Sequence, residues 1–184
     1  MTQEQRENAD ALRKLPVRAI VAIAVRHAER MRPSFDLPGN TPERGAHMAA
    51  VSAAIQLAKR FVEGQDIPEN ILELANKASA AQAATPENMF GIAAGKAGGA
   101  AALVYDALHG EKDLIPVRAA HVIPGIQFIG GTEAETDYQK LLALNLSGFP
   151  ELGPALICPR AARLARAYSV HRHEASRSLS QLCR

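Results

Sequence analysis

The sequence predicts an all-α fold, a single-domain bundle of about six to seven helices. Proline and glycine punctuate the chain at helix-length intervals, and the apolar residues between them recur at three- and four-residue steps. Composition agrees with this pattern, since 47% of the 184 residues are hydrophobic but only 4% are aromatic. Much of the apolar share is alanine, which favours closely packed helices over a bulky sandwich core.

Capping residues and first-turn prolines give the predicted helix boundaries. Thr41 is the predicted N-cap of the third helix, and Asp66 with Glu69 forms a capping-box pattern before the fourth. Residues 111–131 are either a short helix or an extended run, because Pro124-Gly125 interrupts them. The predicted helices span 3–14, 16–32, 42–64, 68–84, 86–110 and 133–147. The acidic run TEAETD at 132–137 is interpreted as the cap of the last helix.

A change in charge divides the chain into a predicted helical bundle domain over residues 1–153 and a basic, arginine-rich tail or terminal helix over 154–184. From residue 155 onward there are six arginines and one acid, so this part carries +5, whereas the whole chain carries only +2. The tail also holds Cys158, His171, His173 and Cys183, but their spacing does not match the close ligand pairs of structural zinc sites. No metal site is predicted.

Residues 89–110, MFGIAAGKAGGAAALVYDALHG, are either a phosphate-binding loop or a helix suited to close packing. Gly91 and Gly95 are one residue too close for a P-loop, and Ala97 stands where the magnesium-binding hydroxyl would be. Apolar residues recur at helical steps instead, and the glycines would let a neighbouring backbone approach. The sequence therefore predicts a helix packed against another helix, and no cofactor.

Residues 25–30, VRHAER, resemble the signature of the histidine phosphatases, although Ala28 replaces the usual glycine. In that family a buried strand delivers a histidine that accepts the phosphoryl group while arginines hold its oxygens. The resemblance implies catalytic roles for Arg26 and His27, with His121 as the candidate second histidine. It also implies a central β-sheet, with a strand where the helical pattern predicts residues 16–32 to be helix.

Helical periodicity places the charged and apolar residues of this segment on opposite faces. One face holds Arg18, Arg26, Glu29, Arg30 and Arg32, and the other holds Ile20, Ile23, Ala24, His27 and Met31. The same projection places His47 on the apolar side of the third helix. His27 and His47 are therefore a candidate buried polar pair, either hydrogen-bonded core residues or the start of a proton-sensitive site.

A second resemblance covers most of residues 11–153. The passages LPVRAIVAIAVRHAERMRPSFDLP, HMAAVSAAIQLAKRFVEG and DYQKLLALNLSGFPELG resemble a family of uncharacterised, alanine-rich helical proteins from planctomycete-type bacteria. The resemblance implies an all-helical domain, and it implies neither an activity nor catalytic residues.

The function predicted from these patterns is that of a non-enzymatic helical domain that binds a partner protein or itself. Arg18, Arg26 and Arg30 are its candidate binding residues. The alternative is a phosphohydrolase or phosphotransfer enzyme centred on Arg26 and His27. Low net charge and the lack of interleaved aromatic and basic residues argue against a nucleic-acid partner. A polar N-terminus, two cysteines and no long apolar run predict a cytoplasmic protein without a membrane partner.

Overall fold

The computed structural model describes residues 1–31, 37, 39–84, 89–123 and 133–143. Seven α-helices and one short 3-10 helix occupy these residues and no β-strand lies among them, which confirms the predicted all-α fold. The predicted segments after residue 143, including the tail at 154–184, lie outside the described residues. The helices are α1 (Gln3–Leu12), α2 (Val17–Arg30), α3 (Arg44–Val62), α4 (Ile71–Ala84), α5 (Met89–His109), α6 (Ile115–Val122) and α7 (Glu133–Ala143), with the 3-10 turn Lys112–Leu114 between α5 and α6.

Local sequence signals account for several helix ends. The Thr2 hydroxyl accepts a hydrogen bond from the Gln5 backbone N–H at 3.2 Å, and the Gln5 side chain accepts one from the Thr2 N–H at 2.8 Å. This reciprocal capping box satisfies two backbone donors at the start of α1. Gly64 (φ 71°) and Gly110 (φ 87°) follow α3 and α5 as predicted, in the left-handed conformation that glycine adopts without steric cost.

The predicted start of α3 is wrong. The helix begins at Arg44, and its N-cap residue is Glu43 rather than Thr41. Glu43 adopts the left-handed conformation (φ 52°, ψ 23°), so helical geometry cannot run back through it. The Arg44 N–H instead donates to the Thr41 carbonyl oxygen across a turn, at 3.2 Å. The Thr-Pro pair therefore begins the turn that leads into α3 and does not cap the helix itself.

The predicted start of α4 is also too early. The helix begins at Ile71 rather than Pro68, since residues 69–70 form a turn. The Leu74 N–H donates to the Asn70 carbonyl oxygen at 3.1 Å, so Asn70 provides the carbonyl that starts the helical bonding. The pattern formed by Asp66 and Glu69 precedes α4 in the connecting segment and does not cap its first turn.

α5 is the central helix, because it packs against α2, α3, α4 and α6. α4 approaches it closely: a Cβ added to Gly98 would lie 2.8 Å from the Ser79 hydroxyl oxygen and 3.1 Å from the Ala75 carbonyl oxygen. The prediction that residues 89–110 form a packed helix is confirmed. The alanines on its buried face are Ala93, Ala94, Ala97, Ala100, Ala101 and Ala107.

α1 and α7 each pack against another helix of the bundle. α1 packs against α6, while α7 packs against α2. Tyr138 in α7 is buried, and its hydroxyl donates to the Ala11 carbonyl oxygen at the end of α1, at 3.0 Å. α2 also contacts α3, α5 and α6. Its polar face, which the sequence predicts to be the binding surface, is therefore bordered by α3 and α7.

Candidate functional site

Arg18, the first of the three candidate binding arginines, forms part of the α2–α3 interface. Its Nε donates to the Phe61 carbonyl oxygen at 3.2 Å, and its guanidinium lies over the Phe61 ring, 5.4 Å from the ring centroid. Burial lowers the pKa of Arg18 from its usual value. Contact with the face of an aromatic ring and with a backbone carbonyl stabilises this partly buried cation. Arg18 therefore has a structural role where α2 meets α3.

Arg26 and Arg30 lie one turn apart on α2 and converge on a single carboxylate of α7. Arg30 Nη2 donates to Asp137 Oδ2 at 2.6 Å, and Arg26 Nη1 lies 3.3 Å from Asp137 Oδ1. Each guanidinium thus faces its own carboxylate oxygen. The Asp137 side chain is only 2% exposed, whereas each arginine side chain is 27% exposed. We call these three residues the arginine pair and its carboxylate.

The two arginines share one carboxylate. Both guanidinium groups face the Asp137 side chain. A guanidinium has five N–H donors, and a carboxylate accepts about four hydrogen bonds at most. About a quarter of each arginine side chain is exposed beside the buried carboxylate, while one terminal nitrogen of each guanidinium, Nη1, is buried.

A second ion pair lies on the neighbouring turn of α2. Lys59 Nζ of α3 donates to Glu29 Oε1 at 2.9 Å, and about a third of each side chain is exposed. This pair joins one cation to one anion. It also fixes the α3 edge of the site, because it ties the polar face of α2 to α3 as Asp137 ties it to α7.

The two histidines of the predicted buried pair are both half-buried rather than core residues. His27 lies between Arg26 and Ala28 on α2, and His47 lies in the first turns of α3, where its backbone N–H donates to the Glu43 carbonyl oxygen at 3.1 Å. Helical projection placed both on apolar faces, but each sits toward the edge of its face. Their pairing stays a prediction.

His121, the candidate second catalytic histidine, is an exposed residue near the end of α6. Its Nδ1 lies 3.0 Å from the amide nitrogen of Gln5, and its backbone oxygen accepts from Lys96 Nζ at 3.0 Å. Since the Gln5 amide nitrogen can only donate, Nδ1 acts as the acceptor in this contact. His121 therefore joins α6 to α1 and α5, and these described contacts do not include Arg26 or His27.

The segment that carries the phosphatase-like motif is an α-helix. Residues 17–30 form α2, and the described residues contain no strand that could belong to the central sheet of that fold. The prediction that this segment is a helix, rather than the strand that the phosphatase resemblance implied, is confirmed. The catalytic roles that the resemblance implied for Arg26 and His27 lack the strand on which they depended.

Asp137 is the residue of this site that the sequence analysis missed. The acidic run that ends in Asp137 was interpreted as helix capping, but Asp137 lies in the second turn of α7 and is buried beside Tyr138, with Leu141 one turn later. Residues at i, i+1 and i+4 share one helix face. An acid on the same face as a tyrosine and a leucine is the signal of a buried ion pair, although it does not identify the partner.

The described part of the chain gives no sign of a metal site or a membrane span. No group of three or more histidine, cysteine, aspartate or glutamate side chains is placed there to hold a metal ion. No helix described in the structure combines the length and the apolar character needed to cross a bilayer. The cysteines and histidines of the tail lie outside the described residues.

The chain was compared with protein families, curated proteins and solved structures. No family model, no curated protein and no solved structure matches the chain. The resemblance to alanine-rich helical proteins of planctomycete-type bacteria therefore stays a prediction.

Proposed function

We propose that this chain is a non-enzymatic helical interaction domain in which Arg26 and Arg30 bind an acidic segment of a partner protein. One observation carries the proposal: two guanidinium groups converge on one buried carboxylate, and each arginine remains about a quarter exposed. A site with two partly exposed arginine side chains suits a carboxylate ligand, because charge-assisted hydrogen bonds to carboxylates are the stronger kind.

Preorganisation strengthens this argument. A free arginine side chain loses rotamer entropy when it binds a ligand, at a cost of about 0.5–1.5 kcal/mol for each immobilised side chain. Arg26 and Arg30 are each about three-quarters buried on one helix, so part of their rotamer freedom is already lost in the folded chain. The entropic cost of binding a ligand is reduced to that extent.

The choice of a protein segment over nucleic acid follows from the size of the charge. The electrostatic affinity of a protein for nucleic acid comes from several lysines or arginines that each neutralise a phosphate. The site offers two arginines that already share one carboxylate, and the lysine beside them is paired with Glu29. A short acidic peptide therefore matches this site better than the long phosphate backbone of a nucleic acid.

The test uses the full chain and a short fluorescein-labelled polyglutamate peptide as the probe. Fluorescence anisotropy should show saturable binding at low salt. Arg26→Gln, which keeps much of the length of the side chain but removes its charge, should weaken binding about tenfold. Arg60→Gln is the matched control, since Arg60 is an exposed arginine of α3 and this variant loses the same charge elsewhere. Equal losses in the two variants, or no saturable binding by the wild type, would reject the proposal.

A second copy of the chain is one partner that the same variants can identify. Sedimentation of the full chain over a range of concentrations reports self-association directly. If an oligomer forms and Arg26→Gln dissociates it while Arg60→Gln does not, the acidic segment belongs to the chain itself. If the chain stays monomeric while the peptide binds, the partner is a different protein.

A further inference from the structure

We propose that Asp137 is an internal ligand of the arginine pair, and that an acidic partner segment displaces it; this inference rests on the proposed function. Asp137 already places one oxygen against each guanidinium, which is the arrangement that a bound carboxylate would adopt. The folded chain therefore carries an acidic occupant in its own binding site.

Competition follows from the electrostatics of a second carboxylate. The Asp137 oxygens lie 2.6 Å and 3.3 Å from the two arginine nitrogens, so a partner carboxylate that binds the same guanidiniums comes close to Asp137. Two carboxylates that share one site repel each other, and the repulsion is greater where the surroundings are buried. Because Asp137 is 2% exposed, water screens this repulsion poorly. Partner binding and the Asp137 contact therefore oppose each other.

Displacement of Asp137 should loosen the packing of α7 on the bundle, because few buried side chains make this contact. Among residues 136–143 only Asp137, Tyr138 and Leu141 are buried. Tyr138 follows Asp137 directly and donates to the Ala11 carbonyl oxygen. Loss of the Asp137 contact removes one ionic contact of this helix, so the amides of α7 should open more often when a partner carboxylate occupies the arginine pair.

The first arm of the test measures affinity for the polyglutamate peptide. Asp137→Asn keeps the shape of the side chain but removes its charge, and it should bind the peptide about tenfold more tightly than the wild type. The double variant Arg26→Gln, Asp137→Asn should lose this gain, and it also removes the excess charge that could unfold the single variant. Wild-type binding that depends on Arg26, with no gain in Asp137→Asn, would overturn the displacement while leaving the proposed function standing.

The second arm measures hydrogen exchange by mass spectrometry in the wild-type chain, with and without saturating peptide. Exchange in residues 136–143 should become faster when the peptide is bound, whereas exchange in α3 should stay unchanged. Slower or unchanged exchange in α7, in a sample whose anisotropy shows full binding, would also overturn the displacement. Absence of peptide binding in the wild type and in Asp137→Asn alike would reject the proposed function and this inference together.

Discussion

Gly98 of α5 and Ser79 of α4 are in direct contact: a Cβ on Gly98 would lie 2.8 Å from the Ser79 hydroxyl oxygen and 3.2 Å from its backbone nitrogen. Such contacts are too short for a real side chain. Glycine in a helix interior costs about 1 kcal/mol relative to alanine. At Gly98 this cost is offset by the close approach of α4, whose buried face is also largely alanine.

Gly98→Ala should therefore lower the free energy of unfolding by about 1–3 kcal/mol, although alanine is the better helix former. The physical reason is that the clash involves the backbone of α4 at Ala75 and Ser79, which cannot move without shifting the helix. Urea denaturation followed by circular dichroism measures the effect. If Gly98→Ala were stabilising, α4 and α5 could not be packed as described.

Two other glycines provide matched controls for this substitution. Gly45 lies in the first turn of α3, with nothing within 4 Å of an added Cβ, so Gly45→Ala should stabilise by about 0.5–1 kcal/mol. The three atoms nearest to a Cβ added at Gly95 belong to the end of the exposed Gln82 side chain, which can rotate away. The change in the free energy of unfolding caused by Gly95→Ala should then lie between those of the other two variants. Equal effects at all three positions would show that propensity and not packing decides the outcome.

Local sequence rules were sufficient for most of the fold. The helical character of α5 follows from apolar residues at three- and four-residue steps and from missing P-loop residues, and both signals lie within the segment itself. The starts of α3 and α4 were predicted too early, because more than one cap-like residue precedes each helix. Which of them starts the helix depends on the turn that the chain makes before it, as with the left-handed Glu43.

The site was harder to predict, because its central contact joins Arg30 to Asp137, 107 residues later in the chain. Periodicity correctly placed Arg26 and Arg30 on one face of α2, but no local pattern indicates what covers that face. Asp137 was assigned to helix capping because acids are common at helix starts. Its burial depends on how α7 packs against α2, which a single sequence does not specify.

Asn8→Leu should stabilise the protein. Asn8 is 1% exposed in α1, and its side-chain oxygen is buried without a hydrogen-bond partner among the described residues. An unsatisfied buried polar group costs about 1–3 kcal/mol, and leucine has the same number of side-chain heavy atoms with the same branching. We expect thermal denaturation to show a gain of about 1 kcal/mol. Asn76→Leu, at an exposed position of α4, controls for helix propensity and should change stability by only about 0.5 kcal/mol. A marked loss of stability in Asn8→Leu would mean that the Asn8 amide stabilises the folded chain through a polar contact.

Arg118→Gln should destabilise the protein by about 3 kcal/mol, because it leaves Asp106 buried without its cation. Asp106 is 2% exposed, and its hydrogen bond to Arg118 raises the pKa of that arginine. Glu111→Gln removes the exposed ion pair between Glu111 and Arg118, whose atoms lie 2.9 Å apart. This loss should lower the free energy of unfolding by less than about 1 kcal/mol.

A double variant shows whether the lost stability comes from the unpaired, buried charge of Asp106 or from lost packing of the Arg118 side chain. In the Arg118→Gln background, Asp106→Asn neutralises the buried carboxylate and should recover at least half of the lost stability, as chemical denaturation of the set would show. No recovery would mean that Arg118 stabilises the bundle through its aliphatic stem, and that Asp106 tolerates burial without it.

Lys96 should make the stability of the protein rise with pH in the alkaline range. Its amine is half-buried on α5 and donates to the His121 carbonyl oxygen at 3.0 Å, and burial lowers its pKa from the usual 10.5. Between the lowered folded-state pKa and 10.5 the unfolded chain binds more protons at this lysine than the folded chain does. Unfolding then takes up a proton, so stability increases with pH, at most by about 1.4 kcal/mol per pH unit.

Lys96→Met isolates this contribution, because methionine keeps most of the aliphatic stem but cannot titrate. Chemical denaturation of both proteins between about pH 7 and about pH 10 should show the wild type gaining stability relative to the variant as pH rises. Burial raises the pKa of Tyr138, which instead costs stability as pH rises above its usual value of 10, but both proteins share that effect and it cancels in the difference. A stability difference that stays constant or falls with pH would show that Lys96 is as well solvated in the folded chain as in the unfolded one.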